Sequence, residues 1–411
     1  MPGSHDNRNE SDGPVGTLPI HCPVHFPADV TPCPAEELAP LLAHLRANRA
    51  VTEATAFPRG TLLEDGRLDL CKQSLGPGGC RDVTAALAEN TVVRSLLLGT
   101  DGIGDEGVED VATLVERRAG LEIAYLGCNG IGPAGAMLLS RSLRGDTRLT
   151  GLWLKRNPVG PEGAREIAAM LRVNQTLRVL DLVNTGLDTA ALAEISDALC
   201  EDNRTLERLY VGGNAIDAEG AAHLARILRM NPTLKSLQMN VSWIGDAGAT
   251  ALAEALRENR TLEALGLAST GITARGAEAL FAALADHPAL RDLDLGRSLS
   301  ATPLGAPPNA IGDVGAGFAA DFLADDPPLQ RLLLNGVGVR AAGRERLTAA
   351  LETNHHLVML RLEGTEEPRM AALLERNRAA APEASLRPPS DLALIGSVYR
   401  TRRADAEEAK R

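Results

Sequence analysis

A cluster of soft metal ligands near the start of the chain is the first group of residues that could support chemistry. His21, Cys22, His25 and Cys33 place four nitrogen and sulfur donors within 13 residues, and these are the donor types of a tetrahedral zinc site. Their spacing is not that of a common zinc motif. We therefore expect no bound metal, with Cys22, His25 and Cys33 as the candidates for a metal- or redox-responsive terminal cap.

Glycine-rich turns form a second possible site. Residues 102–107 read G-I-G-D-E-G, which has the form of a dinucleotide-binding fingerprint. Residues 130–135 repeat the same form, whereas a phosphate site needs one special turn. We attribute the glycines to a recurring turn and expect no nucleotide and no other cofactor.

Catalytic groups are not arranged together anywhere in the sequence. Cys128 and Cys200 have no neighbouring histidine to activate them as nucleophiles. We find no set of serine, histidine and acid, and no lysine-containing phosphate loop. The sequence therefore predicts a protein that is not an enzyme.

A repeat dominates the chain instead. The pattern L-x-x-L-x-L, then a turn and a further aliphatic residue, recurs every 28 residues, with one step of 29 and one of 39. Its alternating part predicts a short strand, and the part after the turn has helical spacing. The repeats start at Val93, Leu121, Leu149, Leu177, Leu206, Leu234, Leu262, Leu290, Leu329 and Leu357, after a degenerate copy at Asp65.

Units of strand, turn and helix must stack, because one unit cannot bury its own apolar stripe. Neighbouring strands lie about 4.8 Å apart and helices need about 10 Å, so the strand side of the stack is concave. The predicted fold is therefore α/β, a curved solenoid or horseshoe with a concave parallel β-sheet and convex helices.

These repeats resemble the leucine-rich repeat family, in its ribonuclease-inhibitor-like subtype. Similar repeats occur in NOD-like innate-immune receptors and in Ran GTPase activators. The resemblance spans about residues 65–384. It implies a protein that binds other proteins through its concave face and catalyses nothing.

The fourth residue after each repeat start lies on the solvent side of its strand, and three of the chain's five tyrosines and tryptophans take this position. Rigid aromatic rings on an exposed groove are typical interface anchors, although they could equally just cover the sheet. Positions six and seven add neighbours at the edge. The predicted partner-binding residues are Tyr125, Cys128, Trp153, Lys155, Arg156, Asp181, Asn184, Tyr210 and Gln238.

Charge narrows the choice of partner. The chain has a net charge of −12, which disfavours binding to nucleic acid. Positions one, two, four, six and seven of the repeats carry 12 basic and 8 acidic side chains, a net of +4. An inhibitor of a basic ribonuclease should instead be acidic here. We expect a protein or peptide partner of mixed or mildly acidic character, and no membrane contact.

Four regions follow from these patterns. We expect a disordered tail at 1–20, a cap of helix and hairpin strand at 21–64, about 11 repeats at 65–384 with a protruding inserted loop at 299–309, and a linker with a C-terminal helix at 385–411. That helix could cap the last repeat or dock on a partner. The oligomeric state is left open.

The leading hypothesis is a non-enzymatic scaffold in the cytoplasm, since the first 20 residues do not form a secretory signal. The alternative is a regulator of a partner enzyme, such as a GTPase activator or an enzyme inhibitor. It would use polar groups at the groove edge, namely Arg156, Asn157 and Asn184.

Overall fold

The computed structural model of the chain describes residues 18–20, 30–117, 120–364, 367–382 and 390–399. In this part of the chain, each strand from residue 67 onward is followed by one helix, or by two helices after residues 294 and 361. The strands are β1 Thr55–Ala56, β2 Thr61–Leu62, β3 Arg67–Asp69, β4 Ser95–Leu97, β5 Ile123–Tyr125, β6 Gly151–Trp153, β7 Val179–Asp181, β8 Arg208–Tyr210, β9 Ser236–Gln238, β10 Ala264–Gly266, β11 Asp292–Asp294, β12 Arg331–Leu333 and β13 Met359–Arg361.

The helices follow the strands at a regular interval. They are α1 Ala35–Arg46, α2 Gly76–Leu87, α3 Gly104–Arg117, α4 Pro133–Leu143, α5 Gly160–Leu171, α6 Thr189–Glu201, α7 Ala218–Met230, α8 Gly245–Leu256, α9 Ala274–Leu284, α10 Ala301–Leu304, α11 Gly312–Ala324, α12 Ala341–Ala350, α13 Pro368–Ala380 and α14 Ser390–Ala393. None of the described helices combines the length and the apolar character that crossing a bilayer requires.

One sheet of 13 strands, in chain order, joins the described repeats. Strands β3 to β13 pair in parallel and in register, so that Leu152 lies beside Leu180 and Leu180 beside Leu209. The pairs β1–β2 and β2–β3 are antiparallel. This architecture confirms the predicted α/β leucine-rich-repeat solenoid.

The core lies between the sheet and the helices. The middle residue of each repeat strand, such as Leu152, is buried against the helix side, and it joins aliphatic side chains of the helices in one continuous cluster. Because every repeat buries only its own stripe and that of its neighbours, the core grows by one layer per repeat.

Polar side chains eight positions after the repeat start link one turn to the next. Asn157 is fully buried, and its amide donates to the carbonyls of Leu126 and Leu154 at 2.9 and 2.8 Å. Its oxygen accepts from the amides of Asn129 and Ile131. These bonds satisfy backbone groups where the strands end, so Asn157 is a structural residue.

The inserted loop does not protrude, contrary to the expectation from its proline and glycine content. Ala301, Leu304 and Ala306 form a small apolar cluster with Val241, against which Trp243 packs. Apolar side chains in the insertion fold it back onto the turns of earlier repeats, which removes them from water. The exception is Leu299, which is 97% exposed.

Residues 18–20 also differ from the expected disordered tail. Leu18 is buried, and the backbone oxygen of Pro19 accepts a hydrogen bond from the Asn184 side chain at 3.1 Å. Ile20 lies near the turn at Gly186. This short stretch therefore packs against the turns of the central repeats.

Candidate functional site

The side of the sheet opposite the helices, here called the strand face, is formed by the first and third residues of each repeat strand. Side chains alternate along a strand, so Gly151 and Trp153 lie on this face while Leu152 enters the core. The face is mainly apolar over β4–β7, where Ser95 and Asp181 are the polar exceptions, and it carries most of its polar side chains over β8–β13. We call these two parts the apolar half and the polar half.

Tyr125 and Trp153 lie on the apolar half, but they are not exposed as the sequence predicted. Their exposed fractions are 3% and 1%. Each ring lies over a glycine: a Cβ on Gly99 would be 2.6 Å from Cε1 of Tyr125, and one on Gly151 would be 2.7 Å from Cη2 of Trp153. The missing side chains let both rings lie against the sheet. Whether they contact a partner stays a prediction.

The cover over these rings comes from the other end of the chain. Residues 390–399, here called the C-terminal segment, place Leu392, Leu394, Ile395 and Tyr399 against the apolar half. Tyr210, at the border with the polar half, packs against the same cluster and is half-buried.

The C-terminal segment is not the continuous helix that the sequence predicted. Helix α14 ends at Ala393, and a turn precedes a second short helical stretch at residues 398–399. The hydroxyl of Ser397 accepts from the Tyr399 amide at 3.2 Å, which is the bond of an N-cap and marks the start of a new helical stretch at residue 398. Of the two alternatives for this segment, a cap on the last repeat does not apply to these residues, because they lie on the first repeats. The rest of the predicted C-terminal helix lies outside the described residues.

Two charged residues of β3 hold the backbone of this segment. Arg67 donates to the carbonyl oxygens of Ala393 and Gly396 at 2.8 and 2.7 Å. The fully buried Asp69 accepts from the Ser397 hydroxyl at 3.1 Å and from the Val398 amide at 2.8 Å. Bonds to ionised groups are stronger than neutral ones, so these contacts orient the segment.

Sequence reasoning missed Arg67 and Asp69 as site residues. They belong to the degenerate first repeat, where the pattern is weakest. One signal was available: in the repeat that starts at Leu121, both outward positions carry large apolar or aromatic side chains, Ile123 and Tyr125. An outward face that is apolar at both positions requires a cover.

Asp181 and Lys155 are both predicted site residues; Asp181 lies beside Trp153 in the sheet, and Lys155 lies over the ring of Tyr125. The Lys155 ammonium lies 5.8 Å from the centre of the Tyr125 ring, a cation–π contact. Asp181 is buried and accepts from the Val183 amide at 2.9 Å. Burial raises the pKa of Asp181 to about 6, although the charges of Lys155 and Arg156 pull it downward.

The raised pKa of Asp181 predicts a pH-dependent stability. Its folded value of about 6 lies above the unfolded value of about 3.9, so its favourable contribution is present below pH 4 and lost as the pH rises through 6. We expect Asp181→Asn to gain roughly 1 to 3 kcal/mol relative to wild type between pH 4 and pH 7. Urea denaturation of both proteins at the two pH values measures this gain.

An exposed aspartate provides the control for that comparison. Asp286→Asn removes one negative charge from the surface. A difference between Asp181→Asn and wild type that stays constant from pH 4 to pH 7 would contradict the raised pKa.

The predicted residues at position seven share a strained backbone. Cys128, Arg156 and Asn184 have φ values of 58°, 58° and 52°, in the left-handed region that costs energy outside glycine. Cys128 and Asn184 are buried, whereas Arg156 is half-exposed. The turn therefore fixes the direction of the Arg156 side chain at the edge of the strand face.

A pocket of about 250 Å³ opens between this edge and the insertion. Tyr210, Val241 and Leu304 provide apolar walls, and Arg156 and Gln238 provide polar ones. Four of the predicted residues thus come together here: Arg156, Asn184, Tyr210 and Gln238. The insertion that closes the pocket was not predicted to reach them, since its 11 extra residues follow no repeat pattern.

The candidate metal ligands are not brought together in the described part of the chain. Cys22 and His25 lie outside the described residues. Cys33 is a half-buried free thiol, and its pKa is raised by burial. Among the described residues, no three side chains of histidine, cysteine, aspartate or glutamate are placed to hold a metal ion.

Comparison with known proteins supports a leucine-rich repeat protein. The Leucine Rich repeat family matches residues 202–225, 231–253 and 258–281. No curated protein sequence matches the chain.

Two solved structures are similar at low identity. One is actin-binding site 2 of leiomodin-1, with 18% identity, a TM-score of 0.31, and coverage of 53% of this chain and 95% of that one. The other is the tropomodulin C-terminal domain of Caenorhabditis elegans, with 14% identity, a TM-score of 0.29, and coverage of 47% and 95%. At these values no function is transferred to this chain.

Proposed function

We propose that this chain is a non-enzymatic scaffold that binds a protein or peptide partner on its strand face, at the pocket between Tyr210 and the insertion. The observation that carries the proposal is the pocket itself, in which apolar walls meet convergent polar groups. Sites for small groups have this composition. A partner would insert one apolar side chain there and lie across the polar half.

Arg156 supports a mildly acidic partner. Its half-exposed guanidinium lines the pocket, and it forms no ion pair with any described residue. An arginine in this setting can hold a carboxylate through two parallel hydrogen bonds. A glutamate or aspartate beside the inserted apolar side chain would supply that carboxylate.

The polar half supports a partner of mixed character. Its polar outward residues include three arginines and two aspartates, so that no single charge dominates it. They are Arg208, Ser236, Gln238, Asp292, Asp294, Arg331 and Arg361. Complementary charges on a partner would fix its register more than its affinity.

The enzyme-regulator alternative loses two of its three residues. Asn157 is bonded to the backbone on all sides, and the buried Asn184 donates to the carbonyls of Pro19 and Gly213. Only Arg156 remains available to enter another protein's active site. A scaffold requires no such group, so it is the function that the site supports best.

Two other features support a cytoplasmic location and the ribonuclease-inhibitor-like subtype of repeat. The described cysteines 33, 71, 80, 128 and 200 form no disulfide with one another, which suits the reducing cytoplasm. The 28-residue spacing suits the ribonuclease-inhibitor-like subtype, with a terminal cap before the repeats.

Affinity capture with matched arginine variants tests the pocket. Arg156→Asn removes the charge but keeps a residue that tolerates positive φ. Arg165→Asn removes an exposed arginine on helix α5 and is the control. We expect a protein retained by wild type and by Arg165→Asn to be retained at least tenfold less by Arg156→Asn. Equal retention by all three would refute the pocket as the site.

A further inference from the structure

The contact between the C-terminal segment and the apolar half joins the two ends of the chain. The Tyr399 hydroxyl and the Thr61 hydroxyl lie 2.7 Å apart, although 338 positions separate them in sequence. The Lys72 ammonium also donates to the carbonyl oxygen of Tyr399, at 3.4 Å. This contact is therefore a docked peptide rather than a local feature of the last repeat.

The segment is docked on a core that is complete without it. The continuous core of the solenoid contains no residue of the C-terminal segment. The segment joins a separate cluster, formed with Leu97, Ile123, Tyr125, Trp153 and Val179 on the strand face. The helix side of the sheet is thus packed independently of whether the segment is bound.

The recognition is specific for a peptide of one shape. Arg67 binds two carbonyl oxygens at the end of a helical turn, and Asp69 binds a hydroxyl and an amide at the start of the next. Ile395 packs against the apolar cluster of the strand face. These groups require an apolar residue, a tight turn, a serine or threonine and then an aromatic hydroxyl.

We propose that the apolar half is a peptide-recognition site, that residues 392–399 fill it as an internal ligand, and that a partner protein binds there by displacing them. The partner's segment would carry the same groups, namely two apolar side chains three positions apart followed by a turn, a hydroxyl and a tyrosine. The proposed peptide-recognition site is separate from the pocket at Arg156, and the evidence for it does not depend on that pocket.

A partner cannot easily displace residues 392–399 from the apolar half, because they are tethered to the same chain. A segment joined to its own site by a short linker has an effective concentration of about 1 mM. A free peptide with identical contacts must exceed this concentration, or a partner must add contacts on the polar half. Weakening the internal ligand should therefore reveal the intrinsic affinity of the site.

A labelled peptide with the sequence of residues 390–399 tests this in the full chain. The release variant carries Leu392→Ala, Ile395→Ala and Tyr399→Ala, all in the segment, so that Arg67 and Asp69 are unchanged. By fluorescence anisotropy, we expect the peptide to bind the release variant at least tenfold more tightly than wild type. Adding Asp69→Asn to the release variant, or Ser397→Ala to the peptide, should weaken that binding about tenfold.

Three binding results would overturn the proposal. They are equal binding to wild type and release variant, equal binding of the Ser397→Ala peptide, and no saturable binding to the release variant below about 1 mM. Hydrogen exchange gives a second readout in wild type, where unlabelled peptide should accelerate exchange of the Val398 amide. A dimer that requires residues 392–399 would assign the site to a second copy of the chain and equally overturn an external partner.

Discussion

Trp153→Ala is expected to lower the free energy of unfolding by about 3 to 5 kcal/mol, the range for removing a buried aromatic ring. Trp153 is 1% exposed and is the largest of the fully buried side chains in the described residues. Gly151 leaves room for the ring below, and the cluster with Tyr125 and the C-terminal segment surrounds it. Urea denaturation followed by far-ultraviolet circular dichroism measures the loss.

The second tryptophan is the matched control. Trp243 is half-buried at the turns, where it packs against the insertion. We expect Trp243→Ala to cost clearly less, because part of its ring already contacts water. An equal loss in the two variants would contradict the expectation that the buried ring of Trp153 contributes more to stability than the half-buried ring of Trp243.

The repeat predicts most of the fold because its physical cause is local. A strand of three residues, a left-handed turn and a helix recur with each coil, and the same residue types satisfy the same needs each time. Val241 and Ser269 share the positive φ of Arg156 at position seven. This regularity also explains why the glycine-rich turns at 102–107 belong to the repeat: Gly102 and Gly104 have φ values of 67° and 59°.

The candidate site is less predictable because it depends on contacts between unlike segments. A periodic pattern compares each residue with its neighbour 28 positions away, whereas Tyr399 meets Thr61 and Leu304 approaches Gly213. The stripe at position four correctly selects the strand face. It does not reveal that one half is covered by the C-terminal segment, nor that the insertion closes a pocket over the edge.

Gly212→Ala is expected to lower the free energy of unfolding by about 3 kcal/mol, at the upper end of overpacking effects. A Cβ on Gly212 would meet the backbone oxygen of Asn240 and lie 3.0 Å from its amide nitrogen. That backbone cannot move away freely, because the Gly213 amide donates to the Asn240 oxygen at 2.9 Å. The clash therefore disrupts the backbone hydrogen bonds that join one repeat to the next. Urea denaturation measures the loss.

Gly212 also lines the pocket beside Arg156, so its substitution links the stability of the stack to partner binding. A shift of the turn would move Asn240 and Val241 in the pocket wall, and partner retention should fall in those Gly212→Ala molecules that remain folded. Gly145→Ala is the control, because a Cβ there meets no atom within 4 Å. If Gly212→Ala were as stable as Gly145→Ala and wild type, the Asn240 backbone would be free to move away from the new Cβ. The pocket wall would then be mobile and could not hold Arg156 in a fixed direction.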